Sequence, residues 1–198
     1  MKKLLSLLTA LFLLLTTCPA LAEEAADAPA RLSASGYMAA MDAMAGKAAK
    51  AGVTLTWHTE PFSSAPGYTL HACETLQGMP VLVCQEDTVV MLCTAVTYRP
   101  EQAPLEPEAY LGQYIVMLTP ILTSQGMTED EAFEALLPMV NEDGFLEAAA
   151  RVSADSEEHH RFSILGCEAA LLRMDSSDKT AQLCLYVYIA PDLMPRPQ

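Results

Sequence analysis

Residues 79–98, MPVLVCQEDTVVMLCTAVTY, constrain the fold more than any other stretch of the chain. Two apolar runs, each carrying a cysteine, are interrupted only by Gln85, Glu86, Asp87 and Thr88. Short runs rich in β-branched residues and broken once by polar ones predict a β-hairpin. Both runs are apolar at odd and even positions alike. Val81 and Val83 stand beside Leu82 and Cys84, then Val90, Leu92 and Val96 beside Val89, Met91 and Cys93. A strand of that kind is covered on both faces, so the hairpin belongs at the centre of a sheet.

The rest of the chain is expected to build around it. Ser33 or Ser35 caps a helix that runs to about Ala51, with Gly52 beyond its end and Tyr37, Met41, Met44, Ala48 and Ala51 on one face. Residues 53–60 alternate Val53, Leu55 and Trp57 against Thr54, Thr56 and His58, the period of a half-buried strand. A second strand covers 68–75, and a turn at Gln77 and Gly78 leads back to the hairpin. Pro80, with no N–H for a ladder, belongs at a strand start or an edge. After the polar linker 99–107 the pattern turns helical. Tyr110, Leu111, Tyr114, Ile115, Leu118, Ile121 and Leu122 form a broad apolar stripe, with Pro120 expected to kink or end it. Thr128, Glu129, Asp130 and Glu131 read as a capping box that opens a second helix, with Phe133, Leu136, Leu137 and Val140 facing inward. A short helix at 144–151, a polar connector at 153–160 and two final strands at 161–174 and 180–190 complete the order.

Alternating βα units are absent and the strands come in hairpins. The expected class is therefore α+β: a mainly antiparallel sheet of about five to six strands, with an N-terminal helix and a central helix pair packed on it. The expected organisation is a leader at 1–22, an acidic disordered spacer at 23–31, one domain at 32–190 and a proline-rich tail at 191–198. Leu70, His71, Ala72, Cys73 and Glu74 echo Ile164, Leu165, Gly166, Cys167 and Glu168, which suggests a duplicated helix–hairpin unit.

The first residues speak to compartment. Lys2 and Lys3 precede an apolar stretch at 4–15, and Ala20, Leu21 and Ala22 supply a small–x–small pattern before Glu23. That is the layout of a bacterial-type secretory signal cleaved near Ala22. The stretch is short beside the ~20 apolar residues of a membrane span, so no span is expected after its removal. Thr17 before Cys18, where lipidation wants a small residue, and Pro19 after it argue against a lipid anchor at Cys18. The expected location is the cell envelope or the extracellular space, in soluble form. The net charge of −14 becomes two units more negative once Lys2 and Lys3 leave with the leader. Such a surface repels phosphate backbones and anionic lipid, which excludes nucleic acid from the expected partners.

The chemistry is sparse. Beyond the leader stand Cys73, Cys84, Cys93, Cys167 and Cys184, all in apolar runs and none in a CxxC pair. Cysteine in such surroundings is expected as a small buried hydrophobe, mostly reduced. With the hairpin turn centred on Glu86 and Asp87, Cys84 falls opposite Val89 and Cys93 opposite Pro80, which separates the two thiols. Cys73 and His71 share a strand face and could form a thiolate–imidazole pair, the catalytic candidate. His159 and His160, following Glu157 and Glu158, are the metal candidates, although adjacent strand residues point to opposite faces. No nucleophile elbow, zinc-protease helix, phosphate loop or dinucleotide fingerprint is present, and no cofactor is expected. The reading that follows is an exported, non-catalytic accessory or binding protein with an unidentified ligand or protein partner. The alternative is a small secreted enzyme using Cys73 and His71.

Overall fold

A computed structural model describes residues 31–48, 55–63, 65–74, 80–103, 105–141 and 145–194. The leader, Cys18, the spacer up to residue 30, the expected helix end at Ala51 and Gly52, and the turn at Gln77 and Gly78 lie outside the described residues. The chain is α+β, with one antiparallel seven-stranded sheet in the order β1-β2-β3-β4-β7-β6-β5. In chain order these are α1 (Ala34–Ala48), β1 (Trp57–Pro61), β2 (Tyr68–Cys73), β3 (Val81–Gln85), β4 (Thr88–Tyr98), α2 (Pro107–Thr123), α3 (Glu129–Asn141), α4 (Phe145–Ala154), β5 (His159–Ile164), β6 (Cys167–Asp175) and β7 (Ala181–Tyr188).

The hairpin of residues 79–98 is β3 and β4, and β4 is the central strand, paired on its other side with β7. Its turn places Glu86 at φ 54. Cys84 faces Val89, but a bulge between Val83 and Cys84 shifts the register, so Cys93 faces Val81 rather than Pro80. The bulge also turns Val89 to the same face as Leu92, together with Leu82 and Cys84. An extra residue in one strand reverses the alternation beyond it.

The four described α-helices lie over one face. Tyr37 and Met41 of α1, Tyr114, Met117, Leu118 and Ile121 of α2, Leu136 of α3 and Phe145 of α4 pack with Leu92, Leu171, Leu183 and Leu185 in one core. Ser33 caps α1, its Oγ accepting from the Gly36 N–H at 3.0 Å. The Asp87 carboxylate, reaching from the hairpin turn, accepts from the Ser35 N–H at 3.0 Å and the Ser35 hydroxyl at 2.8 Å. A carboxylate there meets the positive end of the helix dipole. Tyr37 donates to the Met117 carbonyl at 2.8 Å and Tyr114 to the Leu183 carbonyl at 2.9 Å, tying α1 to α2 and α2 to the sheet.

Pro120 does not end α2, which continues to Thr123. Thr128 and Glu131 form the expected capping box: Thr128 N–H donates to Glu131 Oε2 at 2.8 Å and Glu131 N–H to Thr128 Oγ1 at 3.3 Å. Phe133 departs from expectation. It is 47% exposed, and Ala132 and Leu136 are the buried ones among the described side chains of that helix.

The sheet has more strands than the five to six expected because 161–174 is two strands. Leu165 at φ 53 and Gly166 at φ 73 make a two-residue hairpin turn between β5 and β6. Positive φ at both central positions matches the twist of the flanking strands.

The opposite face of the sheet carries a second core: Leu70, Val83, Met91, Cys93, Cys184 and Tyr186 among others. Phe62 and Ala65 of the β1–β2 loop belong to it, and Met194 packs against it. The Tyr68 hydroxyl donates to the Leu193 carbonyl at 2.5 Å, fixing the segment after β7 against this side. Among the described residues no helix is long and apolar enough to cross a membrane.

Candidate functional site

The Cys73–His71 candidate sits on β2, one strand in from the sheet edge. Leu70 and Ala72 point to the second core, so alternation sends His71 and Cys73 to the helical face. Cys73 is fully buried, and its N–H donates to the Pro80 carbonyl at 3.1 Å. His71 is half-buried, and its Nδ1 lies 2.9 Å from the hydroxyl of Thr59, the residue opposite it on β1. Burial lowers the His71 pKa, and the Asp87 carboxylate offsets part of that. A thiolate nucleophile needs a cationic partner. Here the partner is held toward its neutral form and is hydrogen-bonded to a hydroxyl. His58 points to solvent on β1, with Nε2 2.6 Å from Glu74 Oε2.

His159 and His160 belong to the edge strand β5 rather than to a connector. His160 stacks on Phe162 with ring centroids 5.5 Å apart. Phe162 meets Phe145 edge-on at 5.5 Å, and Phe145 meets Tyr114 edge-on at 5.8 Å. An aromatic chain thus runs from the core to His160, while His159, its neighbour in the strand, is exposed on the other side. Among the described residues no three His, Cys, Asp or Glu side chains come together as metal ligands.

The structure gathers a group that the sequence does not place together. Cys93 on β4 faces Tyr186 on β7, and Ala95 faces Cys184. The two cysteines are therefore diagonal neighbours on adjacent strands, both on the second face. Tyr186, opposite Cys93 on β7, shares this face with both thiols. From β6, the Met174 thioether comes within 3.5 Å of Cys184 Sγ and 3.6 Å of Tyr186 Oη. Met91 is part of the same core and Met194 packs on it, so five sulfur-bearing side chains share this face.

Burial governs the thiols. All five described cysteines are reduced and buried. Burial, with a smaller push from Asp87, raises Cys84 to about 12. It raises Cys184 to about 12 and Cys93 well above the ordinary value, with Tyr186 pulling each back slightly. Cys167 is raised by burial as well. The Tyr186 phenol is itself pushed up, by burial first and then by the two cysteines. The group is missed in the sequence because its members come from three strands whose pairing only the fold sets. The available signal was the run of cysteine and methionine at same-face positions. No protein-family model, no curated protein and no solved structure matches the chain.

Proposed function

We propose that this is an exported, non-catalytic accessory or binding protein of the bacterial envelope or extracellular space, released in soluble form by cleavage near Ala22. The observation that carries the non-catalytic part is the burial of all five described cysteines. Four of them have thiols pushed up by that burial, the opposite of what a nucleophilic cysteine requires. The basic–apolar–small order of the first residues supports export. The ligand or partner is sought by thermal shift of the cleaved protein against metals, sugars, peptides and cell-wall fragments, since a ligand that binds only the folded state raises its melting temperature. Fractionation of the producing cell with N-terminal sequencing tests the export; an uncleaved chain in the cytoplasm would sink it.

A second reading, a small secreted enzyme, is supported by one feature: Cys73 and His71 lie two residues apart on one face of β2. It requires a single fast-reacting cysteine at position 73 in the folded protein, which a thiol probe and peptide mapping reveal or exclude.

A further inference from the structure

We propose that the second face of the sheet binds one Cu(I) ion between the Cys93 and Cys184 thiolates and the Met174 thioether, with the Tyr186 hydroxyl as an outer partner. The donor chemistry selects the metal. Thiolates and thioethers are soft ligands that suit Cu(I), whereas carboxylates, carbonyls and waters suit Mg²⁺ or Ca²⁺. Met174 Sδ already stands 3.5 Å from Cys184 Sγ, and Cys93 is Cys184's diagonal neighbour across the β4–β7 ladder. An ion between them draws three sulfurs inward by side-chain rotation, without a change of register. Met174 is half-buried while both cysteines are fully buried. The thioether is therefore the outermost donor and the first to meet an incoming ion.

Binding converts two thiols into thiolates, so Cu(I) enters as two protons leave and the bound group carries one negative charge. The Tyr186 hydroxyl, 3.6 Å from Met174 Sδ, is placed to donate to that charge. Outer-shell donors of this kind orient and tune a metal's ligands. Two displaced protons make the apparent affinity rise about a hundredfold per pH unit while both free thiols remain protonated.

The inference deepens the binding-protein reading and rests on it only for the compartment in which the metal is met. The test is competition for Cu(I) held by bicinchoninate, run anaerobically on purified, reduced, cleaved protein, together with X-ray absorption at the copper edge. The wild type is expected to strip one equivalent from the chelator and to show a shell of sulfur scatterers alone. Cys93→Ser and Cys184→Ser should each weaken binding by more than about a hundredfold, beyond what loss of an outer-shell partner causes, and Tyr186→Phe by about tenfold. Wild-type protein that leaves the chelator's copper untouched overturns the proposal. So does a nitrogen- or oxygen-containing shell, or full binding by a folded Cys93→Ser/Cys184→Ser double variant. The wild-type measurements decide the matter even if the variants fail to fold. Failed competition leaves export untouched, and an uncleaved cytoplasmic chain leaves the competition result standing.

Discussion

Thiol labelling of the folded, metal-free protein should be slow at every described cysteine, and the structure sets how slow. Alkylation proceeds through the thiolate. The Cys84 and Cys184 thiols are raised from 9.0 to about 12, three pH units, so at any pH well below both values the thiolate fraction falls about a thousandfold. Burial then adds a second barrier, because the reagent reaches sulfur only when the chain opens locally. An opening that requires ~5 kcal/mol, the low end of domain stabilities, leaves about one molecule in several thousand accessible at a time. Labelling through such openings runs at least about a thousandfold slower than at a free cysteine. The assay is intact mass after iodoacetamide treatment near neutral pH, in native buffer and in urea. No label in minutes under native conditions, and full labelling of the cleaved chain's five cysteines in urea without reductant, is the expected pair of results. A cysteine that reacts in native buffer within tenfold of the free-thiol rate refutes the argument. If it maps to Cys73, the enzyme reading replaces the binding-protein one. A native mass lowered by the hydrogens of two disulfides refutes the reduced state directly.

Ser153 is fully buried at the end of α4; its Oγ accepts from the Leu105 N–H at 3.1 Å and donates to the Ala150 carbonyl at 2.8 Å. Ser153→Ala orphans the Leu105 N–H and should cost about 1–2 kcal/mol, lowering the melting temperature by about 3–6 °C, as read in urea and thermal melts. Glu86 and Leu165 both hold positive φ, but Glu86 is exposed and Leu165 packs on the core. Glu86→Gly should therefore be neutral or stabilising by about 0.5 kcal/mol, while Leu165→Gly destabilises by about 1 kcal/mol; equal effects would contradict the packing difference. His71, its pKa lowered mainly by burial, binds fewer protons folded than unfolded just below its ordinary value. Its contribution to stability is present above about pH 6.5 and is lost as pH falls through that value. His71→Gln should flatten that part of the stability–pH curve, and an NMR titration of the His71 ring should show the lowered midpoint.

What the sequence made legible was local. The apolar runs of β3 and β4 announced a strand pair buried on both faces, and the capping box at Thr128 and Glu131 formed as spaced. The Cys84–Val89 pairing followed from the turn. Errors arose where one residue redirects everything after it. The bulge at Val83 and Cys84 moved Cys93 from Pro80 to Val81, because an inserted residue leaves no mark in an all-apolar run. The turn at Leu165 and Gly166 hid inside an apolar stretch, since leucine is a rare occupant of positive φ. Phe133 reads as inward by its spacing with Leu136, Leu137 and Val140, yet Ala132 takes an inner position and Phe133 is 47% exposed. The Cys93, Cys184 and Met174 group was illegible for a different reason: it depends on the β4–β7 and β6–β7 registers. Long-range pairing of that kind is fixed by the whole sheet, and neither strand encodes it alone.

The strand order has a physical logic of its own. It reads outward from the β4–β7 pair as β3, β2, β1 on one side and β6, β5 on the other, two meanders joined through their last strands. Those last strands are the ones that tolerate exposure least. β4 is buried over most of its length on both faces, and β7 is buried at all but one residue. Left at an edge, either would offer a long apolar template to another chain. Pairing them removes both hazards together. The strands that remain outermost suit an edge: β1 is short, largely exposed and ends in Pro61, and β5 alternates exposed with partly covered residues up to its buried last residue, Ile164. The echo between residues 70–74 and 164–168 does not follow this symmetry, because Cys73 ends β2 whereas Cys167 begins β6. The two meanders are thus alike in arrangement without that match. The sulfur group draws Cys93 from one meander and Cys184 with Met174 from the other, so it exists only when the two have joined. A metal bound there would stabilise the junction that both halves need.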